Sequence, residues 1–94
     1  MKIRTAPTFE RNYKALKKKH YDMNKFEVVL DLLLSQDIEQ LVYKYKDHAL
    51  KGNKKGLREL HIENDWLLVY RIDNGCLELW LLATGSHDQV FRNT

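Results

Sequence analysis

Leu57-Arg58-Glu59-Leu60-His61-Ile62, then Trp66-Leu67-Leu68-Val69-Tyr70-Arg71-Ile72, then Asp73-Asn74-Gly75 and the run Cys76 to Leu82 decide how this chain folds. The first run alternates. A period of two puts Arg58, Leu60 and Ile62 on one face of a strand and Leu57, Glu59 and His61 on the other. The second run is dense in apolar, aromatic and β-branched residues, the composition of a central strand. Asn74-Gly75 signals a tight hairpin, so the second and third runs are expected to pair antiparallel. Val90-Phe91 reads as a short fourth strand.

Upstream of these runs, Lys46 to Gly56 is mostly polar and holds two glycines, which predicts a loop. Gln36 to Tyr45 fits a short helix or coil. Before it, Phe26, Val29, Leu30, Leu33 and Leu34 form a helical apolar stripe, with Asp22 or Asn24 able to cap it. Phe9, Tyr13 and Leu16 predict a preceding helix that starts at about Pro7 or Thr8. Lys2 to Thr5 reads as a strand ended by Ala6-Pro7. The expectation is an α+β fold: an N-terminal strand and a helical hairpin packed on an antiparallel sheet, in a single domain over residues 1–94.

Apolar residues make up 44% of the chain and charged residues 31%, the balance of a folded rather than a disordered protein. No apolar run approaches the roughly 20 residues that span a bilayer, and Met1 to Pro7 lacks a signal-peptide stretch, so no membrane association and a cytoplasmic location are expected. Cys76 is the only cysteine, which excludes an internal disulfide and a four-cysteine zinc site. The formal charge of +3 is too small to decide on nucleic acid. Lysines cluster nonetheless, at Lys14, Lys17, Lys18 and Lys19 and again at Lys44, Lys46, Lys51, Lys54 and Lys55. Such runs are as easily solvated faces as binding surfaces.

Chemistry is carried by histidines. His48 lies in the loop, His61 on a strand and His87 after the third strand, while Asp65 and Trp66 sit at a turn. Antiparallel connectivity can bring these to one end of the sheet. Histidine titrates near neutrality, so such a group can both take and give a proton. RNA carries its own nucleophile, the 2′-hydroxyl, and needs only a base, an acid and cations for its phosphate. A metal site is the competing reading, but there is no His-Glu-x-x-His motif and no carboxylate pair of the two-metal kind, so neither metal nor cofactor is expected. The third reading is that the histidines merely satisfy hydrogen bonds at a sheet end, to which His20 is assigned. Trp66 and Phe91 could stack on bases or belong to the core, and Trp80 is the better core candidate.

Lys46-Asp47-His48-Ala49-Leu50-Lys51-Gly52, Gly56 to Ile62, Asp65 to Tyr70 and Ala83-Thr84-Gly85-Ser86-His87 with Val90-Phe91 resemble the YafQ branch of the RelE/ParE toxin superfamily. Asp22-Met23-Asn24-Lys25 before a Leu-rich helix agrees. The resemblance implies a microbial-ribonuclease-like fold and a toxin that cuts messenger RNA in the A site of the 70S ribosome. It implies a cognate DinJ/RelB-like antitoxin as partner, with operator DNA reached only through that antitoxin. By position, His48, His61, Asp65 and His87 look like the proton-transfer and phosphate-contacting residues, with His87 as acid and Asp65 or His48 nearest the base role. Trp66, Phe91, Arg58, Lys51 and Lys55 are the expected RNA contacts.

One position departs. Ala83 stands where the YafQ pattern usually has Arg, and a lost charge-assisted contact to a transition state costs on the order of 10²-fold in rate. Arg58, Lys51 or Arg92 could substitute; otherwise the protein is a catalytically weak member that binds ribosome or antitoxin. The ParE-like branch, which acts on DNA gyrase, generally lacks the histidine set.

Overall fold

Pro7 decides where the first helix begins. The computed structural model, which describes residues 1–91, holds Ala6 extended (ψ 150°) ahead of the proline. Strand β1 (Lys2–Thr5) therefore ends there, and helix α1 (Pro7–Lys18) starts without a side-chain cap. Asp22 caps α2 (Met23–Leu34) by accepting from the Asn24 N–H at 3.1 Å. Asp37 does the same for α3 (Ile38–Tyr45), accepting from the Gln40 N–H at 3.2 Å. That cap, with Leu41 and Tyr45 buried on one side, makes a helix of the segment the sequence left between helix and coil.

The predicted loop contains the two-residue strand β2 (His48–Ala49) and a 3₁₀ turn at Gly52–Lys54. Strands β3 (Arg58–Glu63), β4 (Trp66–Asp73) and β5 (Glu78–Gly85) form the expected meander. Strand order is β1-β5-β4-β3-β2. Strand β1 runs parallel to β5, so the sheet is mixed rather than purely antiparallel. The helices between β1 and the meander supply the long crossover that a parallel neighbour requires.

Two boundaries differ from the reading above. Strand β5 starts at Glu78 rather than Cys76, because Asn74, Gly75 and Cys76 all take positive φ (55°, 65° and 70°) and are spent on the turn. Val90 and Phe91 are not a strand but part of helix α4 (His87–Phe91). Ser86 and Gln89 form a reciprocal cap: the Gln89 side chain accepts from the Ser86 N–H at 3.0 Å, and the Ser86 hydroxyl accepts from the Gln89 N–H at 3.2 Å. Ser-x-x-Gln is a helix-start signature, and it outweighs two apolar residues.

Helices α1 to α3 cover one face of the sheet. Phe9, Leu16, Phe26, Val29, Leu33, Leu41 and Tyr45 pack there against Leu60, Ile62, Trp66, Leu68, Tyr70, Leu79 and Leu81. A buried side chain of this kind contributes about 1.5–3 kcal/mol. A register shift between His61 and Glu63 sets Glu63 opposite Trp66 and turns it to the helical side, where it meets Lys25 of α2 at 3.0 Å. Of the remaining elements, α4 packs on β4 and β5. No helix among the described residues is long and apolar enough to cross a membrane.

Candidate functional site

The site is built on the sheet face opposite the three helices. Pairing aligns Ala83 with Val69, Val69 with Glu59, and Glu59 with His48, so these four share one row across that face. The next row joins Gly85, Leu67 and His61. As the alternation predicts, His61 points away from Leu60 and Ile62.

Glu59 is the centre of the cluster, and the sequence reading passed it over. Its carboxylate is buried, and its Oε1 lies 3.6 Å from His48 Nε2 and 3.5 Å from His61 Nε2. The two imidazole rings are 6.5 Å apart. The signal was present: a Glu two residues before His61 shares its face. What was missing was the register that sets His48 opposite Glu59.

His48 is held in one tautomer. Its Nδ1 is 2.8 Å from the Lys46 carbonyl, which can only accept, so Nδ1 carries the hydrogen. In the neutral ring of this half-exposed side chain, Nε2 then carries the lone pair, 3.6 Å from Glu59 Oε1, and can take a proton. A carboxylate at that distance stabilises the imidazolium that results.

His87 comes to the same end of the sheet by a different route. Asp65, in the β3–β4 turn, accepts a hydrogen bond from the His87 backbone N–H at 3.0 Å and so fixes the start of α4. Asp65 thus positions His87 through its backbone. Gly85, just before, has φ 146°, and a Cβ there would sit 2.6 Å from Gln89 Oε1, so the approach of α4 requires glycine. On α4 the His87 ring lies 5.0 Å from the Phe91 ring, and Lys54 Nζ is 5.4 Å from the Phe91 centroid. The 3₁₀ turn thereby carries Lys54 up to α4, with Lys51 and Lys55 exposed beside it.

Other expected residues lie elsewhere. Arg58 faces the helical side, where its Nη2 is 2.6 Å and its Nε 2.7 Å from Oδ1 of the buried Asp47. Burial works against its charge, but the Asp47 pair outweighs this and raises its pKa. Tyr70 donates to the other Asp47 oxygen, and burial, reinforced by Asp47, raises the phenol's pKa. These three residues border an apolar cavity of about 310 Å³ with Leu33, Ile38, Leu41 and Ile72. Arg58 is thus a structural ion pair and not a neighbour of the histidines.

The tryptophans exchange roles. Trp66 is only 2% exposed, its Nε1 donates to the Thr84 hydroxyl at 3.0 Å and Tyr21 covers it edge-on, so its ring is not available to stack on a base. The reason is register: Trp66 starts β4 in step with Leu68 and Tyr70, on the helical side. Trp80, expected in the core, lies on the histidine face and is partly exposed, since the core positions of β5 are Leu79 and Leu81. Arg92 lies outside the described residues. Among the described residues no group of three His, Cys, Asp or Glu side chains is arranged to hold a metal ion.

The comparisons with known proteins agree on one family. The family model described as "Bacterial toxin of type II toxin-antitoxin system, YafQ" matches residues 1–92. The mRNA interferase toxin YafQ of Escherichia coli K12 is 36% identical over 89 residues, covering 95% of this chain and 94% of that protein. Among solved structures, the E. coli DinJ–YafQ complex matches with a TM-score of 0.83 and 34% identity, over 95% of this chain and 96% of that one. A metal-bound toxin from Helicobacter pylori matches with a TM-score of 0.86 and 37% identity, over 97% and 99%. Two histidines around one buried carboxylate, with a third carried nearby on α4, on the open face of a RelE-like sheet, thus sit in a chain that belongs to the YafQ family of bacterial type II toxin–antitoxin toxins.

Proposed function

We propose that this chain is a metal-independent endoribonuclease that cleaves messenger RNA in the ribosomal A site, and that a DinJ/RelB-like antitoxin holds it inactive. The observation that carries the reading is His48, with Nδ1–H tied to a carbonyl and Nε2 open beside a buried carboxylate. That is the arrangement of a general base. His48 Nε2 takes the proton of the 2′-hydroxyl, whose oxygen attacks phosphorus, and Glu59 stabilises the imidazolium. His87 gives a proton to the departing 5′-oxygen. The products are a 2′,3′-cyclic phosphate and a free 5′-hydroxyl. His61, sharing Glu59 with His48, stabilises the same charge or replaces His48 as base. With Ala83 uncharged and Arg58 on the other face, phosphate neutralisation falls to the Lys51–Lys55 turn.

The E. coli relative, an mRNA interferase, and the neighbour solved with DinJ support substrate and partner alike. The antitoxin segment that fits a basic, histidine-lined face is flexible and acidic or amphipathic. A substrate held on translating ribosomes makes the cytoplasm its proposed site of action. The H. pylori neighbour was solved with metal bound, whereas here no group of three His, Cys, Asp or Glu side chains among the described residues is arranged to hold a metal ion. The deciding experiment incubates purified protein with translating ribosomes and maps the RNA ends, with and without chelator, on ribosomes kept intact. Cleavage in the A-site codon that survives chelation is expected. No cleavage, or cleavage that vanishes with chelator and returns only with added metal, overturns the reading.

A further inference from the structure

A second row on the histidine face carries chemistry that the proton-transfer site does not use. Strand pairing sets Arg4 opposite Trp80 and Trp80 opposite Arg71, so an aromatic ring lies between two arginines on adjacent strands. The Arg71 guanidinium carbon is 5.3 Å from the Trp80 ring centroid. The indole is oriented by Glu78, whose Oε1 accepts from Trp80 Nε1 at 3.3 Å while Oε2 holds Arg4 at 3.3 Å. Arg71 is tied less firmly. Its Nε is buried without a hydrogen bond, and its nearest carboxylate oxygen, on Asp73, is 3.5 Å away. Turning the guanidinium toward another anion breaks that loose pair and no hydrogen bond of its Nε, and leaves the contact with Trp80 as the one to be kept or exchanged. Both arginine side chains are about two-fifths exposed, at 42% and 38%.

This row adjoins the catalytic one. Arg71 is two residues along β4 from Val69, and Trp80 precedes Ala83 on β5. From strand spacing and rise, Trp80 and Glu59 are roughly 12 Å apart across the face. The alanine at 83 and the valine at 69 leave the ground between them low. A cation, a ring and a cation in one line match a nucleotide: the ring or the guanidinium plane accepts a base, and the arginines accept phosphate.

We propose that Arg4, Trp80 and Arg71 form a subsite for the nucleotide that flanks the scissile phosphodiester, its base stacked on Trp80 and its phosphate on the arginines. The inference rests on the endoribonuclease reading and extends it to how RNA is held.

The test uses messenger programmed on ribosomes and cleaved at one position. The base is removed in turn from the nucleotide 5′ and the nucleotide 3′ of the cut, and single-turnover rates are compared at subsaturating protein. Wild type should slow about 10-fold when one of these bases is absent, the scale of a single base–aromatic stack. Trp80→Leu should be about 10-fold slower on intact messenger and indifferent to that abasic position. Trp80→Phe, which keeps a stacking ring, should stay within about 3-fold of wild type. Arg4→Gln/Arg71→Gln should raise KM about 10-fold at an unchanged saturating rate and flatten its salt dependence. Should Trp80→Leu not fold by its thermal melt, the double arginine variant decides. Subsite variants that match wild type in rate, KM and salt dependence, or a Trp80→Leu protein still sensitive to both abasic positions, would overturn the subsite while the nuclease reading stands. Absence of cleavage by wild type would sink both.

Discussion

His48 Nε2 lies 3.6 Å from Oε1 of Glu59, on neighbouring strands, while the other side of the same ring is tied to the Lys46 carbonyl. The pair joins a fixed tautomer to a buried charge, and His61 reaches the same oxygen from the next row. Glu59→Gln keeps shape and burial but removes that charge. The cleavage rate should fall by about 10²-fold, as when a preorganised electrostatic contact to a transition state is lost. Single-turnover rates with a thermal melt check this; an unchanged rate would remove Glu59 from the mechanism.

His87 and Asp65 should separate by chemistry. His87→Ala should reduce the rate by about 10²–10⁴-fold, the range for general acid–base groups. Asp65 serves the His87 backbone N–H, a bond that an amide oxygen can also accept. Asp65→Ala should therefore be slow and Asp65→Asn close to wild type. If Asp65→Asn is as slow as Asp65→Ala, Asp65 acts through its charge and not by positioning.

Ala83 shares its row with Val69, Glu59 and His48, so an arginine there projects over the histidine face. Ala83→Arg should raise cleavage on ribosomes by about 10-fold or more without moving the cut, because it adds a cation beside the transition-state phosphate. Mapping of the RNA ends and rate measurement together check it. No response would mean that the lysine turn already fills the role.

Arg58 should matter for stability and not for cleavage. Removing it leaves Asp47 buried without its ion pair, so Arg58→Ala should cost about 2 kcal/mol, discounted for the exposure of the guanidinium, with the rate per folded molecule within about 2-fold. Denaturant melts and rates normalised to folded protein test this.

Alkaline pH should probe the same network. The Tyr70 phenol has its pKa raised, by burial first and then by Asp47. A raised folded-state pKa means that its contribution is whole below the ordinary tyrosine value of about 10 and is lost as pH rises through the folded value. Wild type should therefore lose stability above about pH 10 more steeply than Tyr70→Phe. Parallel curves for the two proteins would contradict it.

Much of the fold is legible in the sequence, because it is encoded within a few residues of each element. Alternation over Arg58 to Ile62 decides which way His61 points, and Asp22 and Pro7 mark helix starts through contacts within one turn. The histidine set and the YafQ resemblance are likewise properties of residue types at fixed spacing. Tertiary structure alone decides what stands across from what. Glu59 becomes the centre of the site only when β2 pairs with β3, and Arg58 leaves the site because Asp47, eleven residues away, meets it on the other face. Trp66 and Trp80 trade places because strand register, shifted between Val69 and Tyr70, determines which tryptophan faces the helices. Local pattern carries the period of a strand but not its phase against a distant partner. A one-residue change in that phase moves every side chain to the opposite face.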